Sequence, residues 1–322
     1  MSELHKFIFD GLPVRGMLVR LTDAWQEILK RRQDAGGYPQ EVMHLLGEMT
    51  AAGALMQGNI KFNGALILQI FGDGPVKLAV AEVQSDLSLR ATATVTASVD
   101  AGSSLSQLVN VNNQGRCAIT LDPKDKFPGQ QAYQGVVPLF GDQHEKIEKL
   151  SDVLAHYMLQ SEQLDTQLIL AADGNVAAGL LIQRLPVTGQ GNLQGQLDSD
   201  ANEDEIGKNE DYKRIAILAS TLKREELLTL DVDTILHRLF WEEPITRFEP
   251  LTPKFACSCS RERVANMLRS LGVEEIENII AERGSVSVTC EFCGSQNEFD
   301  PVDAAQLFTH PDRQQPPTPT VQ

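Results

Sequence analysis

The stretch from Cys257 to Asp300 reads CSCSRERVANMLRSLGVEEIENIIAERGSVSVTCEFCGSQNEFD and holds four of the five cysteines of the chain. Cys257 and Cys259 form a Cys-x-Cys pair and Cys290 and Cys293 a Cys-x-x-Cys pair, with thirty residues between them. Zinc takes four ligands in a tetrahedron, with thiolates at about 2.3 Å. Each short pair offers two thiolates from one local turn, so folding has only to bring two turns together. The spacing therefore predicts one zinc ion per chain, held by Cys257, Cys259, Cys290 and Cys293. Gly294, directly after Cys293, suits the tight turn of such a knuckle.

The residues between the pairs read as a small folded unit. Ser260 can cap a helix over Arg261 to Leu271, in which Val264, Met267, Leu268 and Leu271 share a face and which Gly272 then stops. A second helix over Glu274 to Arg283 carries Ile276, Ile279 and Ile280 and ends at Gly284. Val286 and Val288 alternate into Cys290 as a strand. Asp300 and Pro301 open a short last helix over Val302 to Phe308. So little apolar surface cannot stabilise a fold alone, and metal binding worth on the order of 10 kcal/mol would dominate.

The same thiolates are open to chemistry. An inert knuckle is the commoner role of a four-cysteine site. Yet zinc-bound thiolates can be attacked by peroxide or hypochlorite. Cys257 and Cys259 lie roughly 6.6–7 Å apart in extended chain, at the edge of disulfide reach, and a modest bend brings them within it. Cys290 and Cys293 can close over a turn. Oxidation would remove the ligands and unfold the unit in one event. Cys117 stands apart in a strand-like run and reads as a buried apolar side chain.

Upstream, Ile215, Leu218, Ala219 and Leu222 share one helical face, and Ile235, Leu236, Leu239 and Phe240 another, with Asp233 as a candidate cap. These are amphipathic helices that need a surface to cover, either as fixed core helices or as covers that detach. Before them, Gly189 to Asp211 sets Asp198, Asp200, Glu203, Asp204, Glu205, Glu210 and Asp211 against Lys208 alone, which predicts a mobile linker or surface loop. Residues 1–190 read as an α+β domain. Its strands are Gly16 to Leu21, a hairpin of Ala65 to Phe71 with Val76 to Val83, then Leu87 to Val95 with one wet face. Cys117 to Leu121, Val136 to Phe140, Gln167 to Ala171 and Val176 to Gln183 follow. Helices are expected over Glu41 to Gln57 and 142–160. Strands adjoin strands through short turns, so antiparallel pairing is expected. The expected division is a sheet-rich core with packed helices (1–190), an acidic and helical linker (191–249), a four-cysteine zinc domain (250–308) and a disordered Pro- and Gln-rich tail (309–322).

Composition limits the function. Of 322 residues, 44 are Asp or Glu and 28 Lys or Arg, a formal charge of −16. Such a chain is repelled by phosphate backbones and anionic membrane, so neither nucleic acid nor membrane is an expected partner. No run approaches 18 apolar residues, and the opening MSELHKFIFDGLPVRG has no basic segment leading a long apolar one, as a secretory signal would. The cysteine usage fits a reducing compartment. No Ser-His-Asp set, phosphate loop or GxGxxG occurs, so no enzyme activity and no catalytic residue is expected.

The cysteine stretch with its flanks resembles the redox-regulated chaperones of the heat-shock protein 33 family. YQGVVPL at Tyr133 to Leu139, YMLQSEQLDT at Tyr157 to Thr166, GLLIQRLP at Gly179 to Pro186 and LHRLFWEE at Leu236 to Glu243 look like signatures of the same family. The resemblance implies interwound sheets with helices, then the linker, then the zinc domain. It implies a bacterial cytoplasmic holdase that needs no ATP and is inactive when reduced and zinc-bound. Oxidation would pair Cys257 with Cys259 and Cys290 with Cys293, unfold the zinc domain and free the linker, at about Tyr212 to Trp241. Apolar surface would then meet unfolded clients, with the active form a homodimer. The competing reading is a constitutive zinc-ribbon module that binds nucleic acid or protein without a redox switch.

Overall fold

The computed structural model describes residues 1–33, 36–125, 127, 129–141, 143–185 and 201–308, with side chains throughout these except at 201–209. The chain forms two compact units, Met1–Ala256 and Cys257 onward. The expected tail and residues 189–200 of the expected acidic loop lie outside the described residues.

In the first unit, β1 (Glu3–Phe9) and β2 (Val14–Leu21) pair before α1 (Asp23–Gln33) and α2 (Gln40–Asn59). Next come β3 (Gly64–Phe71), β4 (Val76–Gln84), β5 (Ser88–Val95), α3 (Leu105–Val109), β6 (Arg116–Pro123), β7 (Tyr133–Pro138) and α4 (Leu150–Glu162). Strands β8 (Thr166–Ala172) and β9 (Ala177–Arg184) follow, then α5 (Ala201–Ser220), α6 (Arg224–Thr229), α7 (Val232–Phe240), β10 (Ile245–Arg247) and β11 (Lys254–Phe255). One sheet has the order β10-β1-β2-β9-β8 and the other β11-β5-β4-β3-β6-β7. Every pairing is antiparallel except the two-residue contact of β11 with β5.

Helix α2 lies against β2, β8 and β9 of the first sheet and against β3, β4 and β5 of the second. A side chain at Gly47 would overlap Ala172, so glycine is what permits this approach. Alternation along the first sheet then sorts side chains into two cores. Met17, Val19 and Leu181 join the core around α2, while Leu18, Leu180 and Ile182 face the other way. That second core is closed by α5, α6 and α7, through Tyr212, Ile215, Leu227, Ile235, Leu236 and Phe240. The Phe9 and Phe240 rings meet edge to face at 5.0 Å. Arg20 of β2 donates to the Leu227 carbonyl at 2.7 Å, and Arg224 donates to the Ala172 carbonyl. The linker helices are thus packed on the sheet.

Four expectations are corrected. The run from Ala201 to Asp211 is the first half of α5 rather than loop, since acids crowding the opening turns favour the helix dipole. The cap of α7 is Asp231, which accepts from the Thr234 amide at 2.8 Å, and Asp233 falls inside the first turn. The supposed wet face of β5 is largely covered: Ser88 and Thr92 are buried, and Arg90 pairs with Glu82 at 2.6 Å. Short polar side chains can be buried there because they are bonded, Ser88 to Asp86 and Thr92 to the Tyr38 hydroxyl. Helix α4 starts at Leu150, because Gly141 and Glu145 close a turn with His144 in the left-handed region. Among the described residues no helix is long and apolar enough to cross a membrane.

The second unit comprises α8 (Arg261–Leu271), α9 (Val273–Arg283), β12 (Val286–Thr289), β13 (Gln296–Phe299) and α10 (Pro301–Phe308). Strands β12 and β13 form an antiparallel hairpin.

Candidate metal centre

The hairpin turn supplies one half of the centre. β12 ends at Thr289, and the chain turns through Cys290 to Cys293 before β13. The Gly294 amide donates to the Cys290 carbonyl at 2.8 Å and the Cys290 amide to the Ser295 carbonyl at 2.9 Å. Gly294 has φ +70°, a conformation that glycine adopts freely. The other half is the entry to α8. Ser260 caps that helix by accepting from the Arg263 amide, and Arg263 donates to the Ser258 hydroxyl at 2.7 Å. The chain is thereby fixed on both sides of Cys259.

All four Sγ atoms of Cys257, Cys259, Cys290 and Cys293 lie within 4.8 Å of one another. Cys257 is 3.7 Å from Cys290, and Cys259 is 3.2 Å from Cys293. Thiolates at 2.3 Å on a tetrahedron stand about 3.8 Å apart, so the four sulfurs fit a single tetrahedral ion. All four are unbridged. Among the described residues this is the one group of three or more His, Cys, Asp or Glu side chains arranged to hold a metal, and no histidine joins it. Burial, followed by the neighbouring sulfurs, pushes the Cys259 thiol above its ordinary value, and burial does the same at Cys293. A bound cation reverses that preference by stabilising the thiolates.

Around the sulfurs the apolar core is small. Ala265, Leu268, Ile276, Val286, Phe299 and Ala304 are its buried members. Arg261 binds the pieces together: it stacks over the Phe299 ring at 4.2 Å and donates to the Glu298 carbonyl and the Asp303 carboxylate, both at 2.7 Å. Nothing in the local sequence marks Arg261 for this role, since Phe299 lies 38 positions away. The cation–π spacing to Phe299 is invisible until β13 pairs with β12. Cys117 is buried in β6, and burial pushes its thiol up to about 12. It therefore stays protonated and unreactive.

The sequence model of the Hsp33 protein family matches residues 2–300. The chain belongs to the Hsp33 family. The 33 kDa chaperonin of Chromobacterium violaceum is 45% identical over 310 residues, which cover 96% of this chain and 94% of that one. That of Methylobacillus flagellatus is 42% identical over 309 residues, with the same coverage of both chains. The crystal structure of the Thermotoga maritima 33 kDa chaperonin superposes with a TM-score of 0.73 over 95% of this chain and 98% of that one. At 20% identity this likeness shows that the Hsp33 fold is shared.

Proposed function

We propose that the chain is an ATP-independent holdase, kept inactive by a reduced zinc–thiolate centre and activated by oxidation. The observation that carries the reading is the four-sulfur cluster at Cys257, Cys259, Cys290 and Cys293 in an Hsp33 chain. Bound zinc supplies cross-linking and keeps the thiols ionised, with no redox chemistry of its own. The residues supply the rest. Each thiolate pair gives two electrons to a peroxide as an S–S bond forms and the O–O bond breaks, and the peroxide leaves as two hydroxides that take protons from solvent to become water. The family resemblance assigns the bonds to Cys257–Cys259 and Cys290–Cys293. The crosswise approach of Cys257 to Cys290 and of Cys259 to Cys293 makes peptide mapping of the oxidised protein a necessary check.

With its ligands bridged, a unit of six buried side chains loses the larger part of its stability. Linker helices α5 to α7 then come away from the first sheet, and the apolar face carrying Phe7, Phe9, Leu18, Leu180 and Ile182 becomes open to unfolded clients. Apolar surface binds without strong directional demands, as suits clients of many sequences. The charge of −16 keeps such complexes soluble. A cytoplasmic location and a dimeric active form belong to the same proposal. The constitutive nucleic-acid module is disfavoured because Arg261 and Arg269 are bonded within the second unit rather than offered to phosphate.

The test is a peroxide titration of the reduced, zinc-loaded protein that follows zinc release, free thiols and aggregation of a heat-unfolded client together. Suppression of aggregation is expected only after the four thiols are lost, and Cys117→Ser should behave as the parent. Equal suppression by the reduced form defeats the proposal.

A further inference from the structure

Between the linker helices and the cysteine unit, the segment from Pro244 to Ala256 closes one edge of each sheet in the first unit. Through β10 it lies antiparallel on β1, and through β11 parallel on β5. Its grip includes a run of backbone bonds. The Asp10 amide donates to Pro244 at 2.9 Å, the Phe248 amide to Lys6 at 3.0 Å, and Leu4 and Leu251 exchange two bonds of 2.9 Å. The Lys254 and Ala256 amides donate to the Leu87 and Leu89 carbonyls at 3.1 Å. Of its side chains, Pro253 is buried, Ile245 packs on the second core and Phe255 on the first, beneath the Arg31 guanidinium at 4.7 Å. Thr246, Arg247, Phe248, Leu251 and Lys254 are all exposed, though Arg247 reaches Asp233 and His5.

A seat that holds its occupant by amides and carbonyls accepts almost any sequence in extended form. Pro244, Pro250 and Pro253 lack an N–H and cannot continue a ladder, so the resting molecule presents a blunted edge here. Removal of the segment frees Phe7, Ile8 and Phe9 of β1, with the backbone groups of Leu4, Lys6 and Asp10, and Ser88 and Leu89 of β5. The pairing it gives up is short, three residues on β1 and two on β5. Alternate side chains of a strand added to β1 would fall on the face that carries Phe7 and Phe9.

We propose that these two edges, vacated on activation, take an extended segment of an unfolded client as an added strand. The inference rests on the holdase reading and gives its client a defined chemistry: an unfolded polypeptide recognised through its backbone. Because Ala256 precedes Cys257 in the chain, the last bond of the seat adjoins the first cysteine.

The experiment uses the full chain, peroxide-activated, with a fluorescent peptide of about ten alternating apolar and polar residues and a twin N-methylated at every central amide. The twin should bind at least about tenfold more weakly, the worth of one or two net backbone hydrogen bonds. Hydrogen exchange at the Leu4 and Asp10 amides should be slow in the reduced protein, fast after activation, and slow again with peptide bound. Equal binding of the two peptides while aggregation is still suppressed overturns the edge inference and leaves the holdase reading standing. So does protection of those amides that grows with protein concentration in the absence of peptide, since the occupant is then a second copy. Failure of the activated protein to suppress aggregation removes the holdase reading and this inference with it.

Discussion

Glu48 shows how a single carboxyl ties the linker to the core. It lies on α2, with the Arg224 guanidinium 3.7 Å away, in a cavity of about 540 Å³ shared with His44, Glu148 and Lys149. Burial pushes its pKa up to about 7, against the pull of Arg224 and Lys149. The folded form therefore holds a proton that the unfolded chain releases at its ordinary value near 4.5. Its contribution is complete below that value and is lost as pH rises towards 7. Because the side chain keeps 22% exposure, the change is on the order of 2 kcal/mol. Urea midpoints taken from about pH 5 to 8 should fall for the parent and stay flatter for Glu48→Gln, with the variant the more stable at the alkaline end. Parallel curves would show that Glu48 is solvated. The cysteines at this scale were legible from spacing alone, because two tight pairs admit few other purposes. Their crosswise approach was not legible, since sequence records covalent neighbours and the hairpin sets the spatial ones.

Among elements, α7 helps α5 and α6 close the core on the outer face of the first sheet, with Phe240 against the Phe7 and Phe9 rings. Ile235 is buried in that core and belongs to the first unit, apart from the cysteines. Ile235→Ala should cost about 2–4 kcal/mol of linker packing. The variant is expected to bind zinc with unchanged stoichiometry yet suppress aggregation at a lower peroxide dose; an unchanged dose response would separate linker docking from activation. Elements with strong periodicity were readable: α2 by its apolar face, β3 and β4 by their turn, α8 and α9 by cap and glycine stop. The elements missed, besides β10 and β11, were β1, α1, α3, α6 and β13, most of them short or with few buried side chains. α1 buries only Ala24, Trp25 and Ile28, α6 only Leu227, and β13 only Phe299. Such segments take their form from the partner they pair with, which no local window contains. β10 and β11 are the extreme case, three and two residues held by strands more than 150 positions away.

For the whole molecule, the two units draw their stability from different sources. The first has two extensive cores, one on each side of its first sheet, while the second has six buried apolar side chains and four thiols. Chelation of zinc from the reduced protein should abolish exchange protection in α8, α9 and α10, a loss on the order of 10 kcal/mol. Amides of α2 should remain protected. Protection that survives in α8 after complete chelation would make the metal dispensable to the fold.

The sheet of β1, β2, β9 and β8 has a dry interior on either hand, and only one of these is roofed by the helices that precede the cysteines. A chain organised like a party wall between two rooms can open one room to the weather while the other keeps the wall standing. Under the proposed redox switch, return to rest is a matter of three helices finding a surface that never lost its shape, a local search rather than a second folding of the whole chain. That arrangement suits a protein that, under the same proposal, is used, reduced and used again.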